Sequence, residues 1–237
     1  MRYQFVDCRW TLGEPRAGRQ VYLERHIPGA SYLDVDADLS APPGPGGRHP
    51  LPDAEDFAEA AGRAGIGEGV FVVAYGNMGG PERLWWLLRH FGHDDCAVID
   101  FEGWRGPLSS GEQEVEPLEF VPRERHDDTI TAEELAARLD DPGLLVLDAR
   151  VSERYRGEPN PVDRRPGHIP GARNAPYTGA PPQNTVEAEE VVVYCGSGVT
   201  ACVQLLGLVQ AGRSDAKLYP GSWSEWEQRV DLPVERG

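Results

Sequence analysis

The run Cys195-Gly196-Ser197-Gly198-Val199-Thr200-Ala201 sets a thiol at the end of an apolar stretch, residues 191–194, and just ahead of a helical pattern over residues 199–211. A cysteine in that position is suited to nucleophilic chemistry. Successive backbone N–H groups of a glycine-containing turn converge on an anion, and a helix N-terminus adds partial positive charge, so the turn favours the thiolate. The thiolate is a nucleophile at neutral pH. A lone cysteine at a strand end is more commonly just buried, and the glycines beside Cys195 tip this one toward chemistry. Cys8 and Cys96 lie inside apolar strand runs and Cys202 falls two turns into the helix, so these three read as core. The loop also argues against phosphoryl transfer. A cysteine phosphatase grips phosphate with an arginine six positions after the cysteine, and Ala201 occupies that place.

The elements that must hold this loop follow from periodicity. Short β-rich runs at residues 71–75, 97–101, 144–147 and 191–194 alternate with helical patterns at residues 53–64 and 81–91 and with the Thr131-x-x-Glu134 capping box leading into Leu139. That alternation predicts an α/β fold, with parallel sheets and crossover helices. The pattern occurs twice. His26-Ile27-Pro28-Gly29-Ala30 matches His168-Ile169-Pro170-Gly171-Ala172, and Asp7-Cys8-Arg9 matches Asp148-Ala149-Arg150. Tyr75-Gly76 matches Tyr194-Cys195, so the first copy carries glycine where the second carries the thiol. The expected organisation is a first, inactive domain over residues 1–106, a polar linker over residues 107–128 and an active domain over residues 129–237. The copies differ in length, since 46 positions separate Ala30 from Gly76 but only 23 separate Ala172 from Cys195. The second copy is therefore expected to lack the crossover helix of the first, residues 176–190 bridging the strands instead.

A formal net charge of -16 disfavours a broad nucleic-acid surface, whose affinity rests on Lys and Arg displacing counterions. An anionic substrate must meet a local basic pocket. No run approaches the roughly 20 apolar residues of a membrane span, and the first residues lack the apolar core of a signal peptide, so a cytoplasmic location is the expectation. Four scattered cysteines do not make a disulfide framework, and neither a C-x2-C pair nor an H-x3-H or H-x4-H pair marks a metal site. The Asp7–Arg9 and Asp148–Arg150 pairs read as buried structural ion pairs, and His168 as a turn-fixing residue. Trp85 and Trp86 read as core. Trp223 and Trp226 either wall the site or seal the C-terminus.

The duplicated His-Ile-Pro-Gly-Ala, the Asp-x-Arg pairs, the Cys195-to-Thr200 loop and the run from Tyr219 to Trp226 together resemble the two-domain rhodanese family over nearly the whole chain. The loop is similar to the 3-mercaptopyruvate sulfurtransferase version. The resemblance implies two tandem rhodanese-like domains packed face to face and a cofactor-free sulfurtransferase. Cys195 would take sulfur from 3-mercaptopyruvate or thiosulfate as a persulfide and pass it to cyanide, a thiol or a thioredoxin-like protein. It further implies catalytic roles for Ser197, Asp36 and His49. Donor binding would fall to Arg154 and to the loop residues Gly196, Gly198, Val199 and Thr200. A second donor-binding arginine of the family would fall near Val162, so its role is either absent or taken by Arg164 or Arg165. A persulfide relay to a protein partner and a degenerate binding module are the competing expectations.

Overall fold

In a computed structural model, which describes residues 2–237, the chain divides into two compact units. One takes the chain up to Ala41 together with Leu51–Arg125; the other takes Pro42–Pro50 and His126–Gly237. Among the described residues no helix is long and apolar enough to cross a membrane.

The first unit is built on a parallel sheet of β1 (Arg2–Cys8), β2 (Ser31–Tyr32), β3 (Val70–Gly76) and β4 (Cys96–Ile99) in the order β2-β1-β3-β4. The central strand β3 reads as a continuous apolar run because helices cover such sheets on both faces. Helix α1 (Ala17–Glu24) follows β1. Helix α2 (Ala54–Arg63) starts where Asp53 accepts the N–H of Asp56, and it buries Phe57, Ala60 and Ala61. Helix α3 (Gly80–His90) opens on Pro81 and buries Leu84, Trp85, Trp86, Leu87 and Leu88, which places both tryptophans in the core.

The second unit repeats the plan. Its sheet has β5 (Leu144–Asp148), β6 (Arg173–Asn174), β7 (Glu190–Tyr194) and β8 (Lys217–Leu218) in the order β6-β5-β7-β8, again all parallel. The Thr131 capping box forms, with the Glu134 N–H reaching Thr131 Oγ1 and the Thr131 N–H reaching Glu134 Oε2. The helix it opens, α4 (Ala132–Ala136), stops short of Leu139. Short α5 (Ser152–Tyr155), α6 (Ala201–Gln210) and short α7 (Ser222–Trp226) complete the unit. Between β6 and β7 the described residues form no α-helix, only a 3-10 turn at Gln183–Val186. Side chains of α6 and its C-terminus stitch this connection down. Gln204 donates to the carbonyls of Pro176 and Gly179 at 2.8 and 2.9 Å, and Arg213 to those of Thr185, Ala188 and Glu189 at 2.9, 2.6 and 3.0 Å. Those bonds satisfy carbonyls that a crossover helix would have satisfied internally.

Both units repeat one buried device. Asp7 and Asp148 each accept from the guanidinium two residues on, Arg9 or Arg150. These arginines also reach the carbonyls of Arg25 and Gly167, just before the matched histidines, and lie over the rings of Phe101 and Trp223, each at 4.5 Å. Tyr75 and Tyr194 accept the N–H of Ile27 and Ile169 at 3.2 and 3.1 Å. His26 and His168 stack on Tyr22 and Tyr155 and hydrogen-bond their carbonyls through Nδ1, at 2.7 and 2.8 Å. Buried ion pairs of this kind are neutral to net stability as a unit but costly to break, about 3–5 kcal/mol. Their job is to lock the strand ends.

Two expectations change. The stretch anticipated as a linker is largely a strap on the first unit. Ser109 and His26 exchange backbone hydrogen bonds at 2.8 and 2.9 Å, and the N–H groups of Leu118 and Arg123 reach the carbonyls of Gly62 and Phe91 at 3.0 and 2.8 Å. Acidic, proline-marked composition conceals backbone pairing of this sort, because carbonyl and N–H groups bond regardless of side chain. Conversely, Pro42–Pro50, which lies within the expected first domain, belongs to the second unit.

Candidate active site

Strand β7 places the thiol. Val191, Val192, Val193 and Tyr194 are fully buried, and the chain leaves the sheet at Cys195, itself 1% exposed. From there the loop runs to Thr200 and into α6, with Gly198 in the left-handed region at φ 81°. Helix α6 starts at Ala201, two residues later than the apolar pattern suggests, which lengthens the loop. Among the described residues no carbonyl accepts from the N–H groups of Gly196, Ser197, Val199 or Thr200. N–H groups without a carbonyl partner in a turn beside a thiol have the geometry that can receive an anion.

The loop's carbonyls and its first N–H are held from α7. The N–H groups of Trp223 and Ser224 donate to the carbonyls of Cys195 and Gly196 at 3.0 and 2.9 Å, and the Cys195 N–H donates to Ser222 Oγ at 3.1 Å. Ser222 does this from a positive φ of 52°, a conformation that costs a non-glycine residue energy and marks an over-determined position. Cys202 is core, as expected, and its thiol donates to the Gly198 carbonyl at 3.3 Å. Trp223 is fully buried against Arg150, while Trp226 donates through Nε1 to the Pro233 carbonyl at 2.8 Å and so ties down the C-terminal segment.

Residues 42–50 enter the same site. The backbone of Gly44 and Gly47 pairs in both directions at 3.0 Å, closing a tight hairpin. Gly47 has φ 108°, and a Cβ there would stand 2.8 Å from both the Gly221 carbonyl and Ser224 Oγ, so only glycine fits. The hairpin delivers His49 and Arg48. His49 Nδ1 and Ser197 Oγ hydrogen-bond at 2.7 Å, both residues buried, so two of the expected catalytic residues meet.

Arg154 comes from α5 and is aimed by Asp163, which accepts from its Nε at 2.8 Å and its Nη2 at 2.5 Å. Burial works against the Asp163 charge, but the Arg154 hydrogen bonds, helped by Arg150 and Asn160, hold its carboxyl below the usual range. A Cβ on Gly196 would lie 2.9 and 3.1 Å from the Arg154 amino groups and 3.2 Å from Arg48 Nη2. Glycine at 196 is therefore what lets two guanidinium groups close on the loop.

The remaining expected site residues are held as follows. The backbone N–H groups of Arg164 and Arg165 both donate to Glu227 Oε2, at 2.7 and 3.1 Å, and the Arg165 guanidinium reaches the Arg229 carbonyl at 3.1 Å. The geometry thus brings Arg48, not Arg165, to Gly196. Asp36 sits in the first unit, its N–H donating to Asp34 Oδ1 at 2.8 Å. Arg48, Asp163, Ser222 and Ser224 went unread as site residues in the sequence. The one available signal was the glycine-rich stretch before Arg48, whose meaning depends on contacts some 150 residues away.

A duplicated parallel-sheet fold with one thiol loop flanked by guanidinium groups defines a cysteine-dependent group-transfer protein. The family model described as Rhodanese-like domain matches residues 1–106 and again 131–229. The chain is 39% identical to a Pseudomonas aeruginosa protein named for 3-mercaptopyruvate sulfurtransfer, covering 98% of this chain and 92% of that one. It is 38% identical to human 3-mercaptopyruvate sulfurtransferase, covering 96% and 86%, and 38% identical to the Mycobacterium tuberculosis protein SseB, named for thiosulfate sulfurtransfer, covering 98% and 90%. Among solved structures, Escherichia coli SseA superposes with a TM-score of 0.78 at 30% identity, covering 94% of this chain and 93% of that one. The chain belongs to the rhodanese family and is a rhodanese-type sulfurtransferase.

Proposed function

We propose that Cys195 carries the transferred sulfur and that 3-mercaptopyruvate is the preferred donor. The observation that carries this reading is the approach of the Arg154 amino groups to within about 3 Å of where a Gly196 Cβ would stand, beside the thiol. A planar guanidinium fork suits a carboxylate. The Cys195 thiolate attacks the donor sulfur, the sulfur–carbon bond breaks, and its electron pair leaves as the enolate of pyruvate, which takes up a proton. Ser197 and His49, 2.7 Å apart, are the groups placed to hold that proton. The cysteine persulfide then yields its outer sulfur to cyanide as thiocyanate, or to a thiol as a persulfide, and the Cys195 thiolate returns. The N–H groups of Gly196, Ser197, Val199 and Thr200 stabilise the anionic sulfur throughout.

Thiosulfate is the second donor in this reading, supported by the name of the Mycobacterium tuberculosis relative. Asp36 keeps its expected catalytic role through the family resemblance. Residues 1–106 form the inactive copy and residues 129–237 the active one, with a thiol, cyanide or thioredoxin-like protein as acceptor. Four free cysteines fit the reducing cytoplasm. The test is intact-mass measurement after separate incubation with the two donors. One sulfur atom gained on Cys195, faster from 3-mercaptopyruvate, is expected. Failure of both donors to load Cys195 defeats the proposal, and faster loading from thiosulfate reverses the donor order.

A further inference from the structure

Two guanidinium groups stand over the thiol loop, and they are not equivalent. Arg154 is bidentate on Asp163, a carboxylate 1% exposed, so most of its charge is already answered. Arg48 is held differently. Its backbone N–H donates to Ser224 Oγ at 2.9 Å, but among the described residues one of its five side-chain N–H groups reaches a protein acceptor, the Gly196 carbonyl, and at a long 3.4 Å. Its Nε is buried and makes no hydrogen bond among the described residues. The two carboxylates whose charge it feels are committed elsewhere. Asp163 accepts from Arg154 and Asn160, and Glu227 from the backbone of Arg164 and Arg165. Burial, followed by the like charge of Arg154, pushes Arg48 below its ordinary range, a cost that an arriving anion relieves.

We propose that Arg48 is the second donor-binding arginine of this enzyme and that it, more than Arg154, attracts the anionic group of the sulfur donor. This rests on the reading of Cys195 as the sulfur carrier and deepens it. The ligand class is a small carboxylate-bearing thiol, with Arg48 and Arg154 gripping the carboxylate while the sulfur meets Cys195. The role that the family resemblance placed near Val162 is filled here from the hairpin of Pro42–Pro50, because its fixed turn at Gly47 points the following residue at the loop. Hydrogen bonds to a charged group predict a loss of about 10- to 100-fold when the guanidinium goes.

The test compares wild type with Arg48→Lys and Arg48→Met, first by steady-state kinetics with 3-mercaptopyruvate and cyanide. Arg48→Met is expected to lower kcat/KM by about 10- to 100-fold, mostly through KM, with Arg48→Lys intermediate. A second readout needs no sulfur transfer: alkylation of Cys195 by iodoacetate, which carries a carboxylate, against neutral iodoacetamide. The iodoacetate-to-iodoacetamide rate ratio should fall about tenfold in Arg48→Met, while the iodoacetamide rate and the melting temperature stay near wild type. An unchanged ratio and an unchanged KM overturn the role of Arg48. An equal fall in both alkylation rates overturns it as well, since a distorted loop rather than a lost anion site then explains the effect. If the ratio falls but neither sulfur donor loads Cys195, the anion site stands and the sulfur-carrier reading fails.

Discussion

The two strand-to-helix loops, one at the end of β3 and one at the end of β7, descend from one pattern and have opposite interiors. Each leaves its sheet beside a buried tyrosine and turns through a glycine at φ 81°. In the first unit, Gly76 pairs directly with Cys8 across the sheet, and a Cβ there would stand 2.8 Å from the Cys8 carbonyl carbon and 3.0 Å from the Arg9 N. The next residue, Asn77, accepts the Trp10 N–H at 2.9 Å, which fills the loop with the protein's own polar group. In the second unit the order is inverted. The side chain sits at Cys195 and the glycine follows, so space opens for Arg48 and Arg154 instead. One copy satisfies its loop with its own polar group, and the other leaves loop N–H groups and the Arg48 Nε without a hydrogen-bond partner among the described residues.

The strongest way to break this comparison is to exchange the thiol. Cys195→Ser should cut sulfur transfer by about a thousandfold or more, read as loss of the added sulfur by intact mass. Placing Gly76→Cys in that background should restore nothing, because the β1 backbone occupies the space the new Cβ needs. Recovered loading at position 76 would show that the first loop is merely unarmed rather than closed.

Asp163 sharpens the electrostatic half of the contrast. Its carboxyl is held below the usual range in the folded state, so its contribution is fully present above the unfolded value near pH 4 and is lost as pH falls through the folded value. Asp163→Asn should cost about 3–5 kcal/mol at pH 7 by urea denaturation, and the gap to wild type should begin to narrow as pH falls below about 4 and go on narrowing at lower pH. A gap that does not narrow at all as pH falls below about 4 would assign the effect to packing.

The smallest effect tests the connections. The first unit joins β2 to β3 through α2, whereas the second relies on Gln204 and Arg213 to hold a strand-to-strand segment with no α-helix. Arg213→Ala should destabilise the second unit by about 1–3 kcal/mol, since three carbonyls lose their donor. Hydrogen exchange should rise first across residues 183–190. Unchanged exchange there would mean that the segment holds without the arginine.

Much of this was legible locally. Cys195, its flanking glycines, the paired Asp-x-Arg motifs and the shortened second connection are all readable because each is encoded within a few residues or by an internal copy. The strand ends fell where apolar runs stop, at Gly76 and Tyr194. The meeting of Ser197 with His49 could be anticipated only through family resemblance, since 148 positions separate them.

What the sequence determined by itself is the duplication, the α/β plan and the one glycine-flanked thiol at a strand end, because periodicity and turn residues act over short range. Tertiary structure alone decided that Gly47 turns Arg48 onto the loop, that Ser222 anchors Cys195 and that residues 109–125 strap the first unit. Those assignments depend on hydrogen bonds between segments distant in sequence, and composition carries no record of which distant carbonyl a given N–H will find.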